Sequence, residues 1–278
     1  MKLGGPILGQ ITDALSWVNA HRELGYSAAY CPLGEGASQV TIHEYRDAAL
    51  KVGLVIAEVG AWSNPISRNE RERSDAISLC QQKLALADEI GARCCVNISG
   101  SRGSTWDGPD SSHYTTDVFE LIVDTVREII DAVTPRRSFY VLETMPWIAP
   151  DSADSYVNLI KAIDRRAFGV HLDPVNLINS PERYYRNSVL LTECFTKLGP
   201  WIKSCHAKDI ILRSHLTVHL DETVPGDGFL DYRTYIRSLS KLDPEIPVML
   251  EHLPDEQAYL AGAGFIRLIA SEVGVEIQ

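Results

Sequence analysis

The sequence predicts an α/β protein, a (β/α)8 TIM barrel, from three observations. Apolar runs of strand length alternate with amphipathic stretches along all 278 residues. Near-continuous apolar strands that alternate with helices are typical of a parallel sheet covered by helices on both faces. No G-x-G-x-x-G motif follows the first strand, so the dinucleotide fingerprint of an open sheet is missing. We therefore expect one barrel domain over residues 1–278, a normal length for this fold.

In the first half of the chain, each predicted helix ends at a glycine or a proline. Glycine ends helices because it adopts a left-handed backbone, and proline lacks the N–H that a further turn needs. Gly25, Gly53, Gly91 and Pro135 each follow an amphipathic stretch. We expect the strands of this half at GGPILG, which is the weakest, and at AAYCPLG, LVIAEVGAW and RCCVNIS.

The second half contains the four strongest apolar runs. We expect strands at SFYVLETM, AFGVHLD, WIKSCHAKDI and PVMLEHL. The intervening amphipathic stretches predict helices at SADSYVNLIKAI, PERYYRNSVLLTECFTKLG and RTYIRSLSKL, and a last helix at DEQAYLAGAGFIRLIASEVG. A loop with the sequence VPGDGFLDY precedes the helix that follows the seventh strand. The count gives eight strand–helix units, which favours a closed barrel.

Four polar residues stand at the carboxyl ends of these four runs. They are Glu143, Asp173, His206 and Glu251, and they are separated by 30, 33 and 45 residues. A strand, a helix and two loops take roughly 30 residues, so each polar residue can end its own parallel strand. Because these strand ends meet at one face of a barrel, we expect the four side chains to converge.

This set of three carboxylates and one imidazole predicts a metal site. A single carboxylate near a strand end is more often a solvated loop residue, but four polar residues at matching positions favour metal binding. Oxygen-rich ligand sets suit a divalent ion on the hard side. We expect Mn²⁺, with Mg²⁺, Co²⁺ and Zn²⁺ as alternatives.

The alternation of side chains along strands adds residues to the predicted site. His171 shares a face with Asp173, and it would either orient a ligand or contact substrate. Lys208 shares a face with His206, and it would either pair with a carboxylate or touch a substrate oxygen. Asn97 ends the fourth strand on the face that we assign to the barrel interior.

Three further residues are candidate substrate contacts in loops. Trp62 and Trp106 lie just past strand ends among small polar residues, where they would form an aromatic wall for a sugar unless they belong to the core. Arg213 lies seven residues past His206, where it would reach a substrate oxygen unless it is a surface residue. His252 has the opposite parity to Glu251, so we expect it outside the site.

Composition narrows the classes of partner. The net charge is −11 and the isoelectric point is about 5.2, so we expect no nucleic acid partner. No apolar run approaches the roughly 18 residues that a membrane span needs, and we expect no membrane partner. Six cysteines without a C-x-x-C pair are typical of a cytoplasmic protein with free thiols. A homo-oligomer is compatible with the sequence, as it is for many barrels.

The motifs around these residues resemble the sugar-phosphate isomerase/epimerase superfamily, the xylose-isomerase-like TIM barrels. The resemblance covers nearly the whole chain through LET, HLDPVN, H-A-K-D, PGDGFLDY and L-E-H. It implies that Glu143, Asp173, His206 and Glu251 are metal ligands. In the ketose 3-epimerase branch, the two glutamates also move the proton, one on each face of the substrate.

The chain departs from individual branches of that superfamily. Asn176 and Ala149 stand where the ketose 3-epimerase branch carries a histidine and a second glutamate. Asn97 and Asn176 stand where the endonuclease branch, with its trinuclear zinc site, carries histidines. The resemblance therefore leaves the substrate open.

Our leading hypothesis is a divalent-metal-dependent sugar isomerase or epimerase. It would move a proton next to a carbonyl through a metal-stabilised enediolate, with Glu143 and Glu251 as catalytic base and acid. The alternative is a dehydratase or lyase of a keto-sugar or keto-inositol, which uses the same enediolate but expels a leaving group. A minor alternative is a barrel that binds a sugar or polyol without chemistry.

Overall fold

The chain folds into a closed barrel of eight parallel strands surrounded by helices, which confirms the predicted fold class. The structure is a computed structural model that describes residues 1–277. In chain order, the barrel strands are β1 (Lys2–Gly4), β2 (Ala28–Tyr30), β3 (Val55–Gly60), β4 (Cys94–Asn97), β5 (Phe139–Glu143), β6 (Phe168–Leu172), β7 (Ile202–Ala207) and β10 (Pro247–Leu250). Pairing between β1 and β10 closes the barrel.

Helices follow the strands and cover the outside of the barrel. They are α1 (Ala14–Glu23), α2 (Gln39–Val52), α3 (Glu70–Ile90), α4 (Thr116–Val133), α5 (Ala153–Ile163), α6 (Pro181–Tyr185), α7 (Asn187–Leu198), α8 (Tyr232–Leu239) and α9 (Glu256–Glu272). The predicted stops at Gly53 and Gly91 are left-handed caps, with φ of 70° and 80°. Among residues 1–277, no helix is long and apolar enough to cross a bilayer.

Two predicted segments differ from the structure. The seventh run, WIKSCHAKDI, ends as a barrel strand at Ala207, and the chain then forms an antiparallel hairpin of β8 (Asp209–Leu212) and β9 (Leu220–Thr223). The alternation of apolar residues in this region does not distinguish a barrel strand from a hairpin strand. The single helix predicted at PERYYRNSVLLTECFTKLG is divided at Arg186, whose φ of −117° departs from helical geometry.

Asp209 anchors the loop between the hairpin and α8. Its Oδ1 accepts hydrogen bonds from the backbone N–H groups of Ile210 and Leu230, at 2.8 and 2.9 Å, and its Oδ2 accepts one from Gly226 at 2.9 Å. A Cβ added at Gly228 would collide with the Asp209 carboxylate. The H-A-K-D and PGDG motifs are therefore two halves of one buried structural contact, which positions the residues before Asp209 at the barrel mouth.

Candidate metal centre and its cavity

The four predicted ligands lie together at the C-terminal mouth of the barrel. Glu143 is the last residue of β5, His206 lies near the end of β7, and Asp173 and Glu251 directly follow β6 and β10. One donor atom from each residue lies within 4.8 Å of a donor atom from every other. All four residues are buried. The predicted convergence is therefore present in the geometry.

His206 directs one ring nitrogen at the carboxylates of this group. Its Nδ1 lies 2.9 Å from Glu251 Oε2, 3.1 Å from Glu143 Oε1 and 4.0 Å from Asp173 Oδ2. A divalent ion that replaced the proton on Nδ1 would face one imidazole nitrogen and three carboxylates. This donor set fits an ion such as Mn²⁺ or Mg²⁺.

Lys208 is a buried cation in the same group. Its side chain is 1% exposed, and its Nζ lies 2.7 Å from both Asp173 Oδ2 and Glu251 Oε1. Glu222, from β9, is a third partner at 2.8 Å. Of the two roles that the sequence allows for Lys208, the structure shows the ion pair.

The charges around this group alter its titration. Burial alone would lower the pKa of His206, but the surrounding carboxylates, with Glu251 first, raise it well above its usual value. Burial raises the pKa of Asp173 to about 7, against the opposing influence of Lys208. Both groups thus retain protons at unusually high pH, and a cation bound among them would displace those protons.

Glu58 is a site residue that the sequence analysis missed. Its side chain lies inside the barrel and is 1% exposed. Its Oε1 accepts hydrogen bonds from His171 Nε2 at 2.9 Å and from the Ser204 hydroxyl. Its Oε2 lies 3.3 Å from His206 Nε2. The pKa of Glu58 is lowered because the imidazoles of His171 and His206 outweigh the effect of burial.

A break in the strand register brings both Ala57 and Glu58 into the barrel interior. Along the β2–β3 pair, Ala29 is opposite Ile56 but Tyr30 is opposite Glu58, so β3 contains one extra residue. That residue, Ala57, packs inside the barrel against Ala28 and Met249, while the next residue also points inward. A bulge of this type directs an additional side chain toward a site.

His171 lies in the barrel interior, as its parity predicted. Its ring is fully buried, and the His171 and His206 ring centroids are 4.1 Å apart in an edge-on arrangement. Nε2 bonds to Glu58, whereas the buried Nδ1 has no hydrogen-bond partner within the described chain. The structure thus favours the orienting role for His171 over direct contact with substrate.

A cavity of about 360 Å³ opens beside the four predicted ligands, two of which, Glu143 and Glu251, line it. Its wall is aromatic, since Trp62, Trp106 and Trp147 all line it, and the first two are 44% and 39% exposed. Its floor carries Glu143, Lys208 and Glu251. The volume lies at the lower end of the roughly 300–1,000 Å³ typical of small-molecule sites.

Two predicted substrate contacts lie away from this cavity. Asn97 faces the helix layer, where its Nδ2 bonds to Cys80 Sγ of α3 at 3.3 Å. The assigned face was wrong, because Cys94 and Val96 form the interior row of β4. Arg213 lies on the exposed hairpin, where its Nε bonds to Asp221 at 2.8 Å. We therefore withdraw both residues from the site.

The cavity also contains polar residues that the sequence analysis did not place there. Asn176 donates from Nδ2 to Glu143 Oε1 at 3.2 Å. His252 lines the cavity wall with its Nδ1 3.0 Å from Glu222 Oε2, although its parity predicted a position outside the site. A left-handed backbone at His252, with φ of 55°, turns the chain there and invalidates the parity argument.

Comparison with known proteins assigns the chain to a family. A sequence model described as a xylose isomerase-like TIM barrel matches residues 18–269. The chain belongs to this family. No curated relative matches it by sequence.

Solved structures with the same architecture include three proteins with different named activities. The probable 3-DHS dehydratase AsbF of Bacillus anthracis is 17% identical with a TM-score of 0.71, and the alignment covers 96% of this chain and 98% of that one. D-psicose 3-epimerase of Clostridium cellulolyticum is 16% identical with a TM-score of 0.71, covering 99% and 100%. Endonuclease IV of Thermus thermophilus is 12% identical with a TM-score of 0.74, covering 97% and 98%. At these identities the likeness shows the shared fold alone.

Proposed function

We propose that this chain is a divalent-metal-dependent isomerase or epimerase that moves a proton next to the carbonyl of a sugar or polyol. The observation that carries the proposal is the buried group of Glu143, Asp173, His206 and Glu251 beneath a tryptophan-walled cavity. Proton transfer at carbon needs a base beside the substrate and positive charge at the carbonyl oxygen. The cavity floor offers candidates for both.

A divalent ion held by the four residues would act as a Lewis acid on the substrate carbonyl. Glu251 and Glu143 both line the cavity, so one carboxylate would take the proton from carbon while the other returns it. Lys208 would keep Glu251 ionised and in place through its 2.7 Å contact. Trp62 and Trp106 would hold the apolar face of the sugar and limit the access of water.

Solvent deuterium uptake tests this mechanism without knowledge of the net reaction. Ketoses, inosose and keto-glycosides are incubated with the protein and Mn²⁺ in D₂O, and mass spectrometry records incorporation at carbon. We expect uptake with at least one substrate, its loss in chelator, and a fall of at least about 100-fold in Glu251→Gln, since general base catalysis contributes about 10²–10⁴-fold. The matched control is Glu256→Gln, at an exposed position in the first turn of α9.

The outcome that contradicts the proposal is equally clear. Deuterium uptake that persists in chelator, or that is unchanged in Glu251→Gln with the ion still bound, would rule out the proposed roles. Absence of uptake across all three substrate classes would rule out carbanion chemistry on keto-sugars.

A second candidate function is a lyase or dehydratase of a keto-sugar or keto-inositol. The observation that favours it is a second cavity of about 600 Å³, which shares Trp62 and Trp106 with the first and extends along the start of α3. This space would hold a leaving group attached to the reacting ring. A product lighter by one water or one glycosyl group identifies this reaction, whereas an isomerase gives a product of equal mass.

The residues and the composition also bear on the identity of the metal ion, on the binding partner and on the cellular location. We expect Mn²⁺ ahead of Mg²⁺, Co²⁺ and Zn²⁺ because three of the four ligands are carboxylates. We expect a small molecule and no nucleic acid, because the net charge of −11 repels phosphate backbones. The six free cysteines support a cytoplasmic location.

A further inference from the structure

We infer that Glu58 is a positioning residue that holds His206 in the tautomer needed for metal binding, and that its group with His171 is not a second metal site. The inference rests on the proposed function because it requires an ion at His206. It goes further by assigning a role to a buried carboxylate outside the four ligands.

The two ring nitrogens of His206 face carboxylates on opposite sides of the ring. Nδ1 lies 2.9 Å from Glu251 and 3.1 Å from Glu143, whereas Nε2 lies 3.3 Å from Glu58 Oε2. A neutral imidazole carries one proton, and a metal ligand must present the nitrogen without it. A carboxylate opposite Nε2 keeps the proton there, so Nδ1 presents its lone pair to the ion. Carboxylate–histidine pairs of this type orient the ring and increase its basicity.

Glu58 is held in place for this role by two further donors. Its Oε1 accepts hydrogen bonds from His171 Nε2 at 2.9 Å and from the Ser204 hydroxyl. The strand that carries Glu58 and the strand that carries Ser204 both shift register locally. β3 contains an extra residue before Glu58, and β7 contains one before Ser204. Two bulges therefore position the Glu58 carboxylate, which is 1% exposed, and it is contacted by three donors, from His171, Ser204 and His206. The carboxylate is thus held from several sides, so it would stay opposite His206 Nε2 after the loss of one donor.

The group of Glu58, His171 and His206 meets a distance criterion for a metal site, but its chemistry argues against one. An ion between Glu58 and the two imidazoles would have to replace the protons on His171 Nε2 and His206 Nε2. His206 would have to lose both ring protons to bridge two ions.

Titration with Mn²⁺ tests the inference through affinity and stoichiometry. Isothermal calorimetry compares the wild-type protein with Glu58→Gln, Glu58→Met and Ser204→Ala. We expect one ion per chain and an affinity loss of about 10–100-fold in both Glu58 variants, because neither side chain can accept all three hydrogen bonds. Ser204→Ala is the matched control, since it removes a donor to Oε1 but keeps the carboxylate at His206. Its affinity should stay within about 3-fold of wild type, well under the loss expected when the carboxylate itself is removed.

A spectroscopic readout separates positioning from general damage. In protein with ¹⁵N-labelled histidine and bound Mg²⁺, long-range ¹H–¹⁵N correlation should show His206 protonated at Nε2. Near-UV circular dichroism confirms that each variant is folded. The calorimetry can be restricted to whichever Glu58 variant folds.

The outcomes distinguish this inference from the proposed function. Unchanged Mn²⁺ affinity in a folded Glu58 variant, two ions per wild-type chain, or a proton on His206 Nδ1 would each overturn the inference and leave a metal enzyme in place. Failure of the wild-type protein to bind any divalent ion would overturn both.

Discussion

Removal of the Lys208 ammonium should strongly destabilise the metal-free protein. The perturbation is Lys208→Met, which keeps most of the side-chain volume and deletes the charge. Nζ lies 2.7 Å from Asp173 and Glu251 and 2.8 Å from Glu222. The first two carboxylates are 0% and 10% exposed, so they would be left unpaired in the protein interior.

Loss of one partner from a buried ion pair costs about 3–5 kcal/mol. For a chain of this size, each kcal/mol lowers the melting temperature by about 2–4 °C, so we expect a fall of order 10 °C in chelator. Mn²⁺ should reduce the stability difference between wild type and Lys208→Met. In the variant, the ion supplies positive charge to the same carboxylates and does not compete with an ammonium group. At 100 times its dissociation constant, a bound ion stabilises the fold by about 2.7 kcal/mol.

The assay is urea and thermal denaturation of both proteins in EDTA and in saturating Mn²⁺. Lys203→Met is the matched control, since Lys203 lies on the same strand with its Nζ 4.2 Å from the Phe139 ring centroid. A cation–π contact of this type is worth about 1 kcal/mol. A Lys208→Met protein as stable as wild type in EDTA would refute the buried ion pair. If the loss of stability in Lys208→Met is the same in Mn²⁺ as in EDTA, the assignment of these carboxylates as ligands of the ion is refuted.

Three other predictions address the loop anchor, acid stability and the cavity wall. Asp209→Asn should lower the free energy of unfolding by about 1–3 kcal/mol in urea titrations, because an amide N–H₂ would face a backbone donor; a change under about 0.5 kcal/mol would contradict this. Burial opposes ionisation of Asp88, but backbone N–H groups led by that of Ser138 lower its pKa. The stabilisation is therefore present above the unfolded-state pKa of about 3.9 and is lost as pH falls through the lower folded-state value. Asp88→Asn should thus be about 1 kcal/mol less stable than wild type at pH 7 and equal to it near pH 2, and a pH-independent difference would contradict the account. Trp106→Ala should raise the KM of a responsive sugar by about 3- to 10-fold with a smaller change in kcat, and steady-state kinetics with an unchanged KM would exclude stacking on this ring.

The sequence predicted the barrel because its signals are local and repeated. Alternating apolar strands and amphipathic helices, with stops at Gly53 and Gly91, each follow from short-range chemistry. The hairpin after β7 was missed because two short antiparallel strands look like the continuation of a parallel strand when only hydrophobicity is considered.

The four candidate ligands were accessible from sequence because each ends a strand, and barrel strands all end at one mouth. The position of His252 was not accessible, because a left-handed backbone turns this residue into the cavity wall. Asn97 was misassigned because the sequence cannot establish which of the two alternating rows of β4 faces inward.

Diffraction from crystals grown with Mn²⁺, recorded for anomalous scattering, tests the central claim most directly. The account predicts a single strong peak within about 2.0–2.4 Å of an oxygen from each of Glu143, Asp173 and Glu251 and of His206 Nδ1. A peak located between Glu58 and His171, or no peak at the barrel mouth, would contradict it.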